Sequence, residues 1–459
     1  MSETLDYALR RSIKVGASQA EVFAIDEVGM NIVIEKKQVK IGQVKRDRGM
    51  GIRVLVKKDG GASTGFSYVT DFSRNTVTEA VEKAVTTAKV KRADKDLKSF
   101  EEKAKVRKVA DIFDKRIPRT DPSDLIEIGT SMLEEACKDP RVSAVSGSVH
   151  AGFGEVSVAN SLGVSGSYRS TGFGGHMYVV AESGGSLGVG WETHSSSNYE
   201  SQKLVATAGY AAETALKQLN PRTLEPGTYD VVVDQDGLAD LFMNTLVQQV
   251  RADLVQRNQS PLTGKIGSEI ASENVTLMDD PTVPKALGSK PFDSEGCPTN
   301  SRPIVEKGVL RTILHNSYTA HKEGVKNTGN SMRYIMFGTR SEYALEPIIG
   351  PHNLVLKPGK GRREDLIREV KSGILVRGFI GAHTSNVQSG DFSLALDCVF
   401  KIENGDLTFP VKHAMIGGNM PGILRQIRLA AGNSKQVTMG PGMTLISPTI
   451  LIEKLTVAA

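Results

Sequence analysis

Residues 20–56, AEVFAIDEVGMNIVIEKKQVKIGQVKRDRGMGIRVLV, alternate apolar and polar side chains along most of their length. A period of two sends successive side chains to opposite faces, so the stretch reads as antiparallel strands with one face against a core. Gly29, Gly42 and Gly49–Gly51 are the expected turns. Helical spacing before it (Leu5, Leu9, Ile13) and after it (VTEAVEKAVTTAKV, 77–90) completes an α–β–β–β–α layer.

The same logic extends down the chain. In RTDPSDLIEIGTSMLEEACK, Asp121 or Ser123 can cap a helix that Pro122 helps to start. Gly- and Ser-rich strands follow over 144–197, then a helix over 201–219. Pro226–Gly227 marks a turn, YDVVVD a strand, and Asp236–Gly237 the entry to a helix containing FMNTLVQQVRADL, residues 242–254. Beyond it, short apolar runs between Gly, Pro and Asn turns predict eight to ten strands, with only GRREDLIREVKSG (361–373) clearly helical. The fold class is therefore α+β: N-terminal α/β layers followed by a large, mainly antiparallel, barrel-like β domain. The segments run 1–110, 111–222 and 223–459, with the main boundary at 220–226.

With 39% hydrophobic and 24% charged residues, the chain has the composition of a soluble globular protein. No apolar run approaches the ~20 residues of a membrane helix, and the N-terminus lacks signal-peptide order. A cytoplasmic protein without membrane contact is expected. The three cysteines, Cys137, Cys297 and Cys398, are widely spaced and form no CxxC pair, which argues against disulfides and structural zinc. The net charge of +5 is concentrated in residues 89–117, where eleven Lys/Arg face six Asp/Glu. Those charges are interleaved and carry only two aromatics, Phe100 and Phe113, so a solvated helical linker is expected rather than a nucleic-acid surface.

Catalytic patterns are sparse. GGSLG (184–188) matches G-x-S-x-G, but a strand pattern follows it where a nucleophile elbow needs a helix; a glycine-rich hairpin is expected. No P-loop is present. His315 and His321 stand six apart, a spacing that diverges on a helix and spans about 20 Å on a strand. His383 and His413 sit in strand-like surroundings and read as structural.

Seven stretches do carry a resemblance. RGMGIRVLV (48–56), VANSLGV (158–164), SPLTGKIGSEIAS (260–272), the 291–320 run from PFDSEGC to NSYTA, NTGNSMR (327–333), the 383–411 run from HTSNVQSGDFS to TFPV, and IGGNM (416–420) stand in this order. Together they resemble the TldD/PmbA family. That resemblance implies a dimeric TldD–TldE metallopeptidase with an internal cleft that takes unfolded or short peptides. In it the TldD subunit holds zinc through HExxxH and a cysteine near the C-terminus, and the glutamate serves as general base. The family has also been described as modulating DNA gyrase.

Counted back from SPLTGKIGSEIAS, the HExxxH positions fall on Met243, Asn244 and Gln248. A thioether is a poor zinc ligand, and neither amide can replace a carboxylate base or an imidazole. No histidine lies between His194 and His315, and no cysteine follows Cys398. The resemblance therefore implies a TldE/PmbA-like subunit without a catalytic residue or cofactor of its own, zinc being expected only in a TldD-type partner. That partner makes a heterodimer; a homodimer is the other expectation. Peptide is expected to add as a strand to Gly-rich edges such as NVQSGDFS (386–393), which includes Ser389, Gly390 and Asp391. Asn330 and Arg333 match a segment resembling the family's cleft lining, where Arg333 either grips a peptide carboxylate or forms a structural ion pair. Two other readings stay open: a self-sufficient hydrolase using His315, His321 or His383, and a binding module outside proteolysis.

Overall fold

The computed structural model describes residues 2–335 and 340–458. The N-terminal half is one antiparallel sheet of six strands. Its strands are β1 (Gln19–Glu35), β2 (Gln38–Lys58), β3 (Gly61–Val69), β4 (Val142–Asn160), β5 (Ser165–Ser183) and β6 (Ser186–Ser196), in the order β3-β2-β1-β4-β5-β6. Helices α1 (Ser2–Lys14) and α2 (Arg74–Val90) cover one half of the sheet, and α3 (Pro122–Ala136) and α4 (Ser201–Lys217) cover the other. Asp121 caps α3 in a reciprocal box with Asp124, and Pro122 stands at its first position.

The glycines of 20–56 are not turns. β1 and β2 run through Gly29, Gly42 and Gly49–Gly51, and the chain reverses at Lys36–Lys37, both at positive φ. What the glycines supply is room. A Cβ on Gly51 would lie 2.4 Å from the carbonyl oxygen of Tyr343, and one on Gly49 would lie 2.5 Å from the Tyr343 ring. These positions let a C-terminal loop rest directly on the sheet. The turn expected at GGSLG is present: Gly184 and Gly185, both at positive φ, join β5 to β6.

The linker is not the solvated helix that its charge pattern predicts. After α2 the chain stays irregular up to a short turn at Ile117–Arg119. It is anchored by Phe100, which is buried with Leu55 and Ala62 beneath the Arg53 guanidinium. One inward aromatic outweighs helical propensity here, because its apolar surface has a prepared socket.

The C-terminal half begins with β7 (Gly227–Val233) and α5 (Gln235–Asn244). Fourteen strands lie beyond α5 among the described residues, not eight to ten, because many span only two to five residues. Two further short helices, Ser317–Glu323 and Met420–Gln426, also lay below the legible periodicity. Ser372–Ile380 pairs with β7 in parallel and with Asp391–Glu403, while β7 also pairs with Ile450–Ala458. Met415–Asn419 joins these last two and closes a barrel. A second, six-stranded sheet ends in Lys435–Gly440 as an edge strand. α5 packs against both sheets.

Candidate functional site

The expected helix over 242–254 is broken. α5 ends at Asn244, and Thr245 takes a non-helical φ of −129° and ψ of −83° while its hydroxyl donates to the Leu241 carbonyl. Two single turns follow, Leu246–Gln249 and Ala252–Val255. The break decides where the counted motif positions point. Met243 and Asn244 line a cavity of about 290 Å³ together with Asp240, Phe379, His383 and Thr438–Pro441. Gln248 is buried elsewhere, where it accepts from Arg251 Nη1 at 2.7 Å and contacts Tyr334.

A second cavity of about 500 Å³ opens between the inner face of the N-terminal sheet (Glu27, His150, Gly152) and the C-terminal Lys290, Glu342 and Gly442. Thr438, Gly440 and Pro441 line both cavities, so the two form one cleft between the halves of the molecule, floored by the edge strand Lys435–Gly440.

The wall behind α5 is a closed charge network. Lys435 bridges Glu192 on β6 to Asp236 on α5, at 2.6 Å from the latter, and Arg377 pairs with Glu192 and Asp234. Against burial, which would lower it, the Asp236 and Glu192 carboxylates hold the Lys435 ammonium above its ordinary value. Trp191 Nε1 donates to Asp397 at 2.9 Å. Asp240 has no such partner: its carboxylate forms no hydrogen bond or ion pair among the described residues. Asp240 is exposed, yet partial desolvation, with the nearby Asp236 and Asp397, pushes it up to about 6.

Neither Asn330 nor Arg333 lines the cleft. Asn330 is fully buried and donates to Asp279 Oδ2 at 2.6 Å. Arg333 pairs with Glu21 at 3.0 Å, donates to the Leu345 carbonyl and lies over the Phe23 ring. Burial brings its guanidinium down to about 10. Glu21 also accepts from Arg53, which in turn reaches Glu295. The ion pair is the role the structure gives Arg333.

The 386–393 segment is not an open edge either. Asn386 N–H donates to the Asp391 carbonyl, Gly390 N–H to the Asn386 carbonyl, and Asp391 N–H to Ser389 Oγ. Asn419 Nδ2 caps the loop from the Ser389 carbonyl and the Asp391 carboxylate, and Asp391–Ala395 is already paired with Met415–Asn419.

Three domain profiles match this architecture. Residues 226–459 match the PmbA/TldA metallopeptidase C-terminal domain, residues 20–88 its domain 1, and residues 115–219 its central domain. The chain belongs to the PmbA/TldD metallopeptidase family. An uncharacterized protein of Methanocaldococcus jannaschii is 30% identical over 90% of this chain and 92% of its own. The metalloprotease PmbA homolog of Haemophilus influenzae is 26% identical over 94% and 91%. The crystal structure of TldE from Thermococcus kodakarensis superposes with a TM-score of 0.88 at 24% identity over 99% of this chain and 100% of that one, a likeness of fold.

Zinc does not suit this PmbA/TldD chain at the counted positions. A thioether and an amide face the cleft, and the second amide is turned into the core. Among the described residues no group of three or more His, Cys, Asp or Glu is arranged to hold a metal ion. His315 is buried with Glu323 4.0 Å from its Nε2, whereas His321 is exposed. Sequence reasoning missed Asp240, Lys290 and the edge strand. The signal for Asp240 was DQDGLAD, where Asp236 and Asp240 stand one helical turn apart.

Proposed function

We propose that this chain is a non-catalytic, TldE/PmbA-like subunit of a TldD/TldE-type zinc metallopeptidase, one that shapes the cleft and holds extended peptide. The observation that carries this reading is the cleft face of α5. It presents Met243 and Asn244, which can neither ligate zinc as imidazole does nor take a proton as glutamate does.

Peptide adds along Lys435–Gly440, the edge strand bordering both cavities, rather than along 386–393. Backbone pairing there gives sequence-tolerant binding, which suits unfolded or short peptides. The partner is a TldD-type subunit, or a second copy of this chain, in the cytoplasm.

The test is hydrolysis of a quenched fluorescent peptide by the purified chain alone and with a TldD-type subunit. Turnover is expected only in the mixture. Turnover by the chain alone, retained after passage over a chelating resin, overturns the reading in favour of a self-sufficient hydrolase.

A further inference from the structure

The basic run between α2 and α3 lies apart from the cleft. Its middle, residues 102–110, has no regular structure, and all of it is exposed except the half-buried Val109. Among the described residues, no backbone N–H or C=O of 102–110 forms a hydrogen bond, and Lys103, Lys105, Arg107 and Lys108 form no ion pair. Both flanks are fixed. Phe100 fills its socket under Arg53, the Glu101 carbonyl accepts from Asn160 Nδ2 at 2.7 Å, and Asn327 Nδ2 donates to the Glu101 carboxylate. On the far side Ile112 is buried, its carbonyl accepts from Thr171 N–H, and Asp114 N–H donates to Thr171 Oγ1 at 2.9 Å.

Residues 357–362 make the contrast. They are also exposed and basic, with Lys357, Lys360 and Arg362, but their backbone is tied down. Lys357 N–H donates to the Thr276 carbonyl, Gly359 N–H to the Ala431 carbonyl, and Gly432 N–H to the Gly361 carbonyl. An endopeptidase takes its substrate as an unpaired, extended strand. A tied loop must first give up its hydrogen bonds, whereas 102–110 has none to lose.

We propose that residues 103–108 are a processing site for an endopeptidase that cleaves after lysine or arginine. Hydrolysis breaks one peptide C–N bond: water supplies hydroxyl to the carbonyl carbon and a proton to the departing nitrogen, leaving a new carboxylate and a new amino terminus. The product is a two-chain protein rather than a truncated one. The N-terminal piece carries α1, β1–β3 and α2, and β1 stays paired with β4 from Glu21 opposite Asn160 to Glu35 opposite Ser146. Asp94 also keeps its hydrogen bond from the Tyr318 hydroxyl, at 2.8 Å.

The test is limited digestion of the purified full-length chain with trypsin, the cut ends read by intact mass and the product by size-exclusion chromatography. The first cut is expected after Lys103, Lys105, Arg107 or Lys108, about tenfold or more faster than after Lys360 or Arg362, with both pieces eluting together at the parent volume. Replacing all four (Lys103→Gln, Lys105→Gln, Arg107→Gln, Lys108→Gln) should abolish the fast cut and leave the thermal midpoint unchanged. A first cut after Lys360, Arg362 or any other basic residue overturns the site. Pieces that separate without denaturant overturn the two-chain product.

Discussion

Arg333 and His352 are polar side chains closed off from water, and each shows how partners decide a residue's role. Arg333 is held by Glu21, the Leu345 carbonyl and the Phe23 ring. Arg333→Ala leaves Glu21 with one cation fewer in a dry site. It should cost about 3 kcal/mol of unfolding free energy in urea titration and leave peptide affinity of the folded fraction unchanged. A selective loss of affinity at unchanged stability would restore the substrate-gripping role. His352 is buried with Nε2 2.8 Å from the Gly329 carbonyl, and burial lowers its pKa from 6.5 to about 3. Between those values the unfolded chain binds a proton that the folded chain refuses. Stability therefore rises with pH across this window and is lost as pH falls below about 6.5, with a slope from this group of about 1.4 kcal/mol per pH unit. His352→Gln should flatten that acid limb, as followed by denaturation midpoints between pH 4 and pH 7; an unchanged limb contradicts the assignment. Residue types at the motif positions were legible in the sequence, but partners were not. Nothing local to NTGNSMR announces that Arg333 meets Glu21 more than 300 positions away.

At the scale of elements, glycine spacing was legible but its meaning was not. Glycines in the β1–β2 stretch looked like turns, yet the strands pass straight through them. The same use recurs under α4, where a Cβ on Gly188 or Gly190 would fall 2.1 Å from the Ala215 carbonyl or 2.2 Å from the Ala211 carbonyl. Gly190→Ala must lift the helix off the sheet and should destabilise the protein by about 1–3 kcal/mol, lowering the thermal midpoint. A midpoint at or above that of the parent chain would show that α4 is not seated as described. The helices over 74–90, 122–136 and 201–217 were read at nearly these positions, since their patterns extend over several periods. The break at Thr245 was not, because the apolar spacing of 242–254 continues through it. A period shows which residues face the core but does not show where the backbone hydrogen bonds stop.

Over the whole molecule, two buried charge networks fasten the N-terminal sheet to the C-terminal half. They are Glu21–Arg53–Glu295 with Arg333, and Glu192–Lys435–Asp236 with Arg377. The cleft lies between these two anchors, which is why no single sequence segment contains it. Its lining combines α5, the edge strand, the inner sheet and Lys290, four stretches joined only by folding. Family membership and the barrel-like β domain were legible because many motifs recur in order. The cleft's own chemistry was not, apart from the metal-helix positions. Those positions carry the central claim, that this chain contributes a surface and a substrate hold rather than a metal centre. The measurement that bears on it most directly is the zinc content of the purified chain, per chain, by elemental analysis after dialysis against metal-free buffer. The account predicts a value near zero. One zinc per chain that survives dialysis would contradict it, and would mean that residues other than Met243, Asn244 and Gln248 have built a metal site.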